Sequence, residues 1–470
     1  MRRLASTGGG CWVAAFALLV PIGGPAGCLA ATPFKAGERV CFVGDSITYG
    51  KAFCRDVALF HACRYPDRKL YVFNCGVGGS RTRKVLERLE WDILVNRPDV
   101  LVVMLGMNET GVLGAVAQNR KGKRKRKIDV AARTAEAAQE FREKMVALIG
   151  KLNTDGRRVV LMSSSPYDAT AQIEKEPIVG VQEQLELQEA FLRECSQKYN
   201  TDFIPLNTFM HELNLRGQQR DPVFSLIGPD RVHPNHTGSF VIAYRILKSQ
   251  HHSPFVSKLC VDARARKVVE TVNCTATLER GRGLVVEVLE KALPFPVSRG
   301  YSNALHVVPF MAELNQQLLQ VRNLAPGSYE LLIDGASILS SSHTAFGRGI
   351  NLASQTNTPQ YVQAREVYQL VKRRDARERE TLRAMAATLE NLVYWDARKY
   401  KFDLSDYDAV KKYLEGGKMK KLIKRKRPMA EGYIAYWPQR DQVRQELDAM
   451  TDRIYAAAQP RKHVTEIRRK

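Results

Sequence analysis

The sequence contains no Cys-x-x-Cys pair and no Cys/His cluster with zinc spacing, which removes the common structural zinc folds from consideration. After the first thirty residues it has no apolar run long enough to cross a bilayer. It has no internal repeat and no low-complexity linker, so solenoids and tethered arrays are also excluded. Acidic residues are scarce relative to basic ones. With 72 Lys and Arg against 49 Asp and Glu, the formal net charge is +23. Such a balance implies anionic surroundings or ligands, namely a membrane surface, an acidic polysaccharide or nucleic acid.

What remains is a soluble-type composition, 44% hydrophobic, over 470 residues. That length is too great for one ordinary core and predicts two or three domains. Residues 1–30 have the three parts of a secretory signal: Met1-Arg-Arg3, an apolar run from Cys11 to Ile22, and a small, helix-breaking stretch ending Cys-Leu-Ala-Ala. Export to the periplasm or exterior is expected, with cleavage after Ala30. Pro25-Ala-Gly-Cys28 also resembles a lipoprotein box, with Pro25 where an aliphatic residue is usual. Of the nine cysteines, Cys41 and Cys75 lie in apolar strands and read as buried thiols. In an oxidising compartment, Cys54 with Cys63 and Cys260 with Cys274 are the sequence-local pairings.

Between Arg39 and Gln250, short apolar runs alternate with helical periodicity. Strands are predicted near 40–43, 70–74, 100–105, 158–163 and 202–205, and helices near 53–64, 83–95, 130–151, 182–199 and 238–249. Continuous apolar strands between amphipathic helices mean a parallel sheet covered on both faces. The first strand runs into Gly44-Asp45-Ser46, so Ser46 stands at a strand-to-loop turn, where sites in open α/β folds are built. It is either a nucleophile or, with Asp45, a helix cap. Gly76-Val-Gly-Gly79 follows the second run, Gly106-Met-Asn-Glu109 the third, and Asp230-Arg-Val-His233 comes later.

In this order, the four blocks resemble the signatures of the SGNH (GDSL-like) hydrolase family, over roughly residues 38 to 250. One departure is Glu109, where the family usually has Asp. The resemblance implies a three-layer α/β/α sandwich and a serine esterase with no metal or organic cofactor. A serine hydroxyl needs a base to take its proton, and His233, oriented by Asp230, fits that task. The main-chain N–H groups of Ser46 and Gly79 and the side-chain amide of Asn108 would form the oxyanion hole. Gly76 and Gly78 read as turn residues, Arg81 is a candidate contact to substrate, and His236 has no assigned role. The family spans carbohydrate O-acetylesterases, arylesterases, thioesterases and lysophospholipases. An O-acetylated polysaccharide is the favoured substrate. A lipid esterase, or a non-catalytic glycan- or envelope-binding protein on the same fold, are the alternatives.

Beyond the hydrolase domain (31–250), residues 251–345 read as a small β-rich module packed on it, and 346–470 as a helical, basic C-terminal region. Strands are expected at Lys267–Thr271, Gly283–Leu289, Leu318–Val321 and Tyr329–Ile333, with turns at Ala325-Pro-Gly-Ser328 and Asp334-Gly335. Leu382, Met385, Leu389, Leu392 and Val393 mark one helix face, with Arg383, Thr388 and Glu390 between them. Tyr433, Tyr436 and Trp437 read as packing residues, and the basic tail from Arg461 reads as disordered. Two basic clusters, 121–127 and 418–427, are either solvated loops or contacts to an anionic polymer or envelope. No nucleic-acid partner is expected for an exported chain.

Overall fold

The computed structural model describes residues 31–120, 128–281, 283–418 and 427–470. The export segment, the basic run 121–127 and nearly all of the second basic cluster lie outside the described residues.

Five strands, β1 (Arg39–Gly44), β2 (Tyr71–Gly76), β3 (Val100–Met104), β4 (Arg158–Met162) and β5 (Asp202–Ile204), form an all-parallel sheet in the order β2-β1-β3-β4-β5. Successive side chains of a strand point to opposite faces, and the two faces enter two different cores. Val40, Phe42, Val72, Val102 and Met162 pack under the helices Phe53–Arg64 and His236–Ser249. Cys41, Val43, Phe73, Val103 and Leu161 pack under Val130–Leu152 and Val181–Tyr199. This is the expected three-layer sandwich, and it explains why the strands read as unbroken apolar runs. Every cysteine of the described residues is a free, buried thiol. Cys54 and Cys63 lie along one helix, Phe53–Arg64, so the local pairing does not form. Cys260 and Cys274 likewise stay unpaired.

The β-rich part is larger than its sequence suggests. It comprises β6 (Phe255–Asp262), β7 (Lys267–Val272), β8 (Cys274–Leu278), β9 (Leu284–Glu290), β10 (Gln316–Arg322), β11 (Ser328–Ile333), β12 (Ala336–Ser342) and β13 (Ile350–Asn351). A further strand, β14, runs from Lys462 to Arg469. The chain forms two sheets, β13-β10-β6-β7 and β12-β11-β14-β9-β8. Leu259, Val261, Leu319 and Val321 of the first face Val286, Val288, Leu331 and Ile467 of the second in one core. The tail expected to be disordered is thus a central strand. His463, Thr465 and Ile467 alternate inward, while Val464 and Glu466 between them point to the other face.

Phe295, Tyr301 and Phe310 gather around Phe240 of the hydrolase helix His236–Ser249 and join the two parts. The C-terminal helices begin at Pro359 and pack on both parts. Pro359–Glu378 lies against Arg440–Ala457, and Val367 and Val371 enter the hydrolase core. The stretch read as a single apolar helix face is buried all round. Arg383, Thr388 and Glu390 are as buried as Leu382, Leu389 and Val393. Two π-helical turns, Arg379–Arg383 and Leu389–Val393, interrupt it. A π turn rotates the following residues around the axis and so brings charged side chains inward.

Candidate active site

Gly44 ends β1, and Ser46 opens the short helix Ser46–Gly50. Asp45 caps this helix by accepting the N–H of Ile47 at 2.8 Å. As the first residue of the helix, Ser46 has no carbonyl one turn earlier to receive its own N–H. The turn needs a bare backbone on both sides. A Cβ on Gly76, the last residue of β2, would come within 2.4 Å of the Tyr49 nitrogen. Gly76 is therefore a strand residue selected by close approach rather than a turn residue. Gly79 does lie in a turn, with φ +76° and open space where a Cβ would stand.

Ser46 Oγ lies 2.8 Å from His233 Nε2, and His233 Nδ1 lies 2.6 Å from Asp230 Oδ2. The second carboxylate oxygen of Asp230 accepts the N–H groups of Val232 and His233, both at 2.9 Å. Burial raises the Asp230 carboxyl, but these bonds from His233 and Val232 outweigh it and leave it below the ordinary range. The loop is held from behind by Arg231, a residue that sequence reading passed over. At φ +65°, its guanidinium donates to the carbonyls of Asp168 at 2.8 Å and Ala171 at 3.1 Å. The His233 and Asp230 side chains remain 37% and 48% exposed, so the dyad is open to a bulky substrate.

Asn108 stands beside Asp45, the residue before Ser46, with a difference from expectation. Its Nδ2 donates to Asp45 Oδ2 at 3.2 Å and to the Ser80 carbonyl at 3.0 Å. Both amide hydrogens are engaged, so an oxyanion would compete for one of them. Asp45, read only as a cap, is the amide's second anchor. Burial pushes its carboxyl up to about 7, against the Ile47 N–H bond that lowers it, with the charge of Glu109 adding to the rise. Glu109 is buried and accepts Thr82 N–H at 2.6 Å and Thr82 Oγ1 at 2.8 Å. The longer carboxylate reaches across to cap the helix Thr82–Arg88 that follows the Gly79 turn. Burial raises this carboxyl above its ordinary range, against the Thr82 bonds and the charge of Arg81, which lower it. His236, outside the dyad, stacks on Tyr301 at 4.5 Å. Among the described residues, no group of three or more His, Cys, Asp or Glu is arranged to hold a metal ion.

A serine at the mouth of a parallel sheet, paired with an Asp-x-x-His loop, defines the class. Residues 42–239 match the GDSL-like lipase/acylhydrolase family. It is similar to an acetylxylan esterase of Geobacillus stearothermophilus, 28% identical over 89 residues, a match covering 16% of this chain and 41% of that relative. A solved structure of a gut microbial diltiazem-metabolizing enzyme is similar over nearly the whole length. It is 29% identical, covers 94% of this chain and 100% of its own, and superposes with a TM-score of 0.84. The β-rich and C-terminal parts thus recur in that structure together with the hydrolase domain.

Proposed function

We propose that the protein is an exported serine esterase that removes acetyl groups from a carbohydrate polymer. The observation that carries the esterase reading is the chain from Ser46 Oγ through the His233 ring to Asp230, at 2.8 and 2.6 Å. His233 takes the hydroxyl proton as Ser46 attacks the ester carbonyl, and Asp230 holds the imidazole in the tautomer that can accept it. Negative charge forming on the carbonyl oxygen meets the N–H groups of Ser46 and Gly79 and one hydrogen of Asn108 Nδ2. Collapse expels the alcohol, protonated by His233, and leaves an acyl-Ser46 ester. Water, deprotonated by the same histidine, then releases the acid. Arg81 is proposed as a contact to a substrate oxygen at the rim.

The acetyl and carbohydrate preference rests on the acetylxylan esterase relative and on the open dyad. Export rests on residues 1–30 alone. The test is a panel of acetylated xylan, acetylated pectin and p-nitrophenyl esters of rising chain length, with free acetate as the readout. Release of acetate from a polymer supports the proposal, and cleavage confined to long-chain or lipid esters replaces it with a lipid esterase. N-terminal sequencing of the secreted protein tests export.

A further inference from the structure

Behind the Gly79 turn, the hydrolase domain is closed by charge from the C-terminal helices. Arg88, at the end of the helix Thr82–Arg88, is almost fully buried. Its Nη2 donates to the carbonyls of Cys75 at 2.9 Å and Gly44 at 3.4 Å, one at the end of β2 and the other immediately before Asp45 and the nucleophile. Its Nε stands 3.1 Å from Glu390 Oε2. The same oxygen accepts Ser80 Oγ at 3.2 Å, across 310 residues of sequence. Glu390 Oε1 lies 3.5 Å from Lys84 Nζ. The Ser80 carbonyl in turn receives Asn108 Nδ2 at 3.0 Å. Asp92 pairs with Arg88 on one side and with Arg383 Nη2, at 2.6 Å, on the other. Asp92, Arg383 and Glu390 each sit in a π-helical turn: Leu89–Ile93, Arg379–Arg383 and Leu389–Val393.

A buried ion pair contributes little net stability compared with apolar residues of the same shape, so stability alone does not account for such a cluster. What the cluster does determine is geometry. Ser80 is the residue after Gly79, and its side chain and carbonyl are both engaged, one by Glu390 and the other by Asn108. We propose that Glu390 is a positioning residue for the oxyanion hole. It fixes Ser80, and through the Ser80 carbonyl it fixes Asn108, so the active site is completed by a helix outside the hydrolase domain. This rests on the esterase reading given above.

The experiment uses the full-length chain with Glu390→Gln, Ser80→Ala and the double variant, measured on an acetyl ester the wild type cleaves. Glu390→Gln keeps the shape but gives up the charge facing Arg88 and Lys84. Ser80→Ala removes one hydroxyl and leaves the ion pairs intact, so it reports even where the first variant folds poorly. The expected result is a kcat lowered by about 10- to 100-fold in each single variant, with KM changed by less than about threefold, since displacement of catalytic groups acts on the chemical step. The double variant should be no slower than the slower single one, because both act through one contact. Unchanged kcat in a folded Ser80→Ala protein, a loss appearing only in KM, or additive losses would overturn the positioning role while leaving the esterase reading intact. A wild type that cleaves no ester at all would instead remove the esterase reading, and this inference with it.

Discussion

Asn108 Nδ2 donates to Asp45 Oδ2 across 3.2 Å, so the residue before Ser46 and the Asn108 amide share a hydrogen bond. The carboxylate acts on two elements at once, since its other oxygen holds the N–H of Ile47 in the helix that begins with Ser46. Ser46 and Asn108 are therefore aligned by a single buried side chain.

Ser46→Ala is expected to abolish ester hydrolysis while leaving the fold unchanged. Ser46 begins a helix capped by Asp45, and alanine preserves that cap. The loss of a nucleophile is on the order of 10⁴-fold or more in kcat. Rates on p-nitrophenyl acetate, read beside circular dichroism, decide it; near-normal turnover by a folded variant would refute the assignment.

Asn108→Ala is expected to lower kcat by roughly 10²- to 10³-fold, the range for loss of one oxyanion donor, with little change in KM. A variant with raised KM and wild-type kcat would make Asn108 a substrate contact instead.

Asp45 predicts a pH dependence of stability. Its carboxyl is pushed up to about 7 in the folded protein by burial and titrates near 4 when unfolded. Between these values the folded state binds more protons than the unfolded one, so stability falls as pH rises from about 4 to about 7. A rise of this size corresponds to at most about 4 kcal/mol. Asp56, raised to about 6 chiefly by burial, acts in the same direction, so the test compares variants. Urea midpoints of Asp45→Asn and wild type at pH 5 and pH 7 should show the variant losing less stability between the two. Parallel slopes would remove Asp45 as the cause.

Acetyl esters are expected to be cleaved at least about tenfold faster than octanoyl esters, a difference of about 1.4 kcal/mol in transition-state stabilisation. The measure is kcat/KM on p-nitrophenyl acetate and octanoate. A preference for the longer chain would favour the lipid-esterase alternative instead.

The local parts of the site were legible in the sequence because each is a short block at the end of a strand. Gly44-Asp45-Ser46 and Asp230-Arg-Val-His233 carry their geometry within a few residues, and the strands before them are continuous apolar runs. The non-local parts were hidden for identifiable reasons. Arg383 and Glu390 sit between apolar residues at ordinary helical spacing, yet both are buried and both lie in π turns that this spacing does not announce. Glu390 meets Ser80 from 310 positions away, a contact that no local pattern encodes. Strand β14 alternates correctly at His463, Thr465 and Ile467, but the basic residues that flank them, Arg461, Lys462, Arg468, Arg469 and Lys470, give it the composition of a loose tail.

That strand also bears on how the molecule is made. In the sheet β12-β11-β14-β9-β8, the member synthesised last takes the middle position, pairing with β11 on one side and β9 on the other. Until residues 462–469 join the sheet, β9 and β11 each present an open edge. Open edges are templates for pairing with other chains, and pairings this distant in sequence form slowly. The parallel sheet, complete by Ile204, carries no such delay. Misassembly during biosynthesis should therefore begin in the β-rich part, where a nascent chain needs the protection of a chaperone longest.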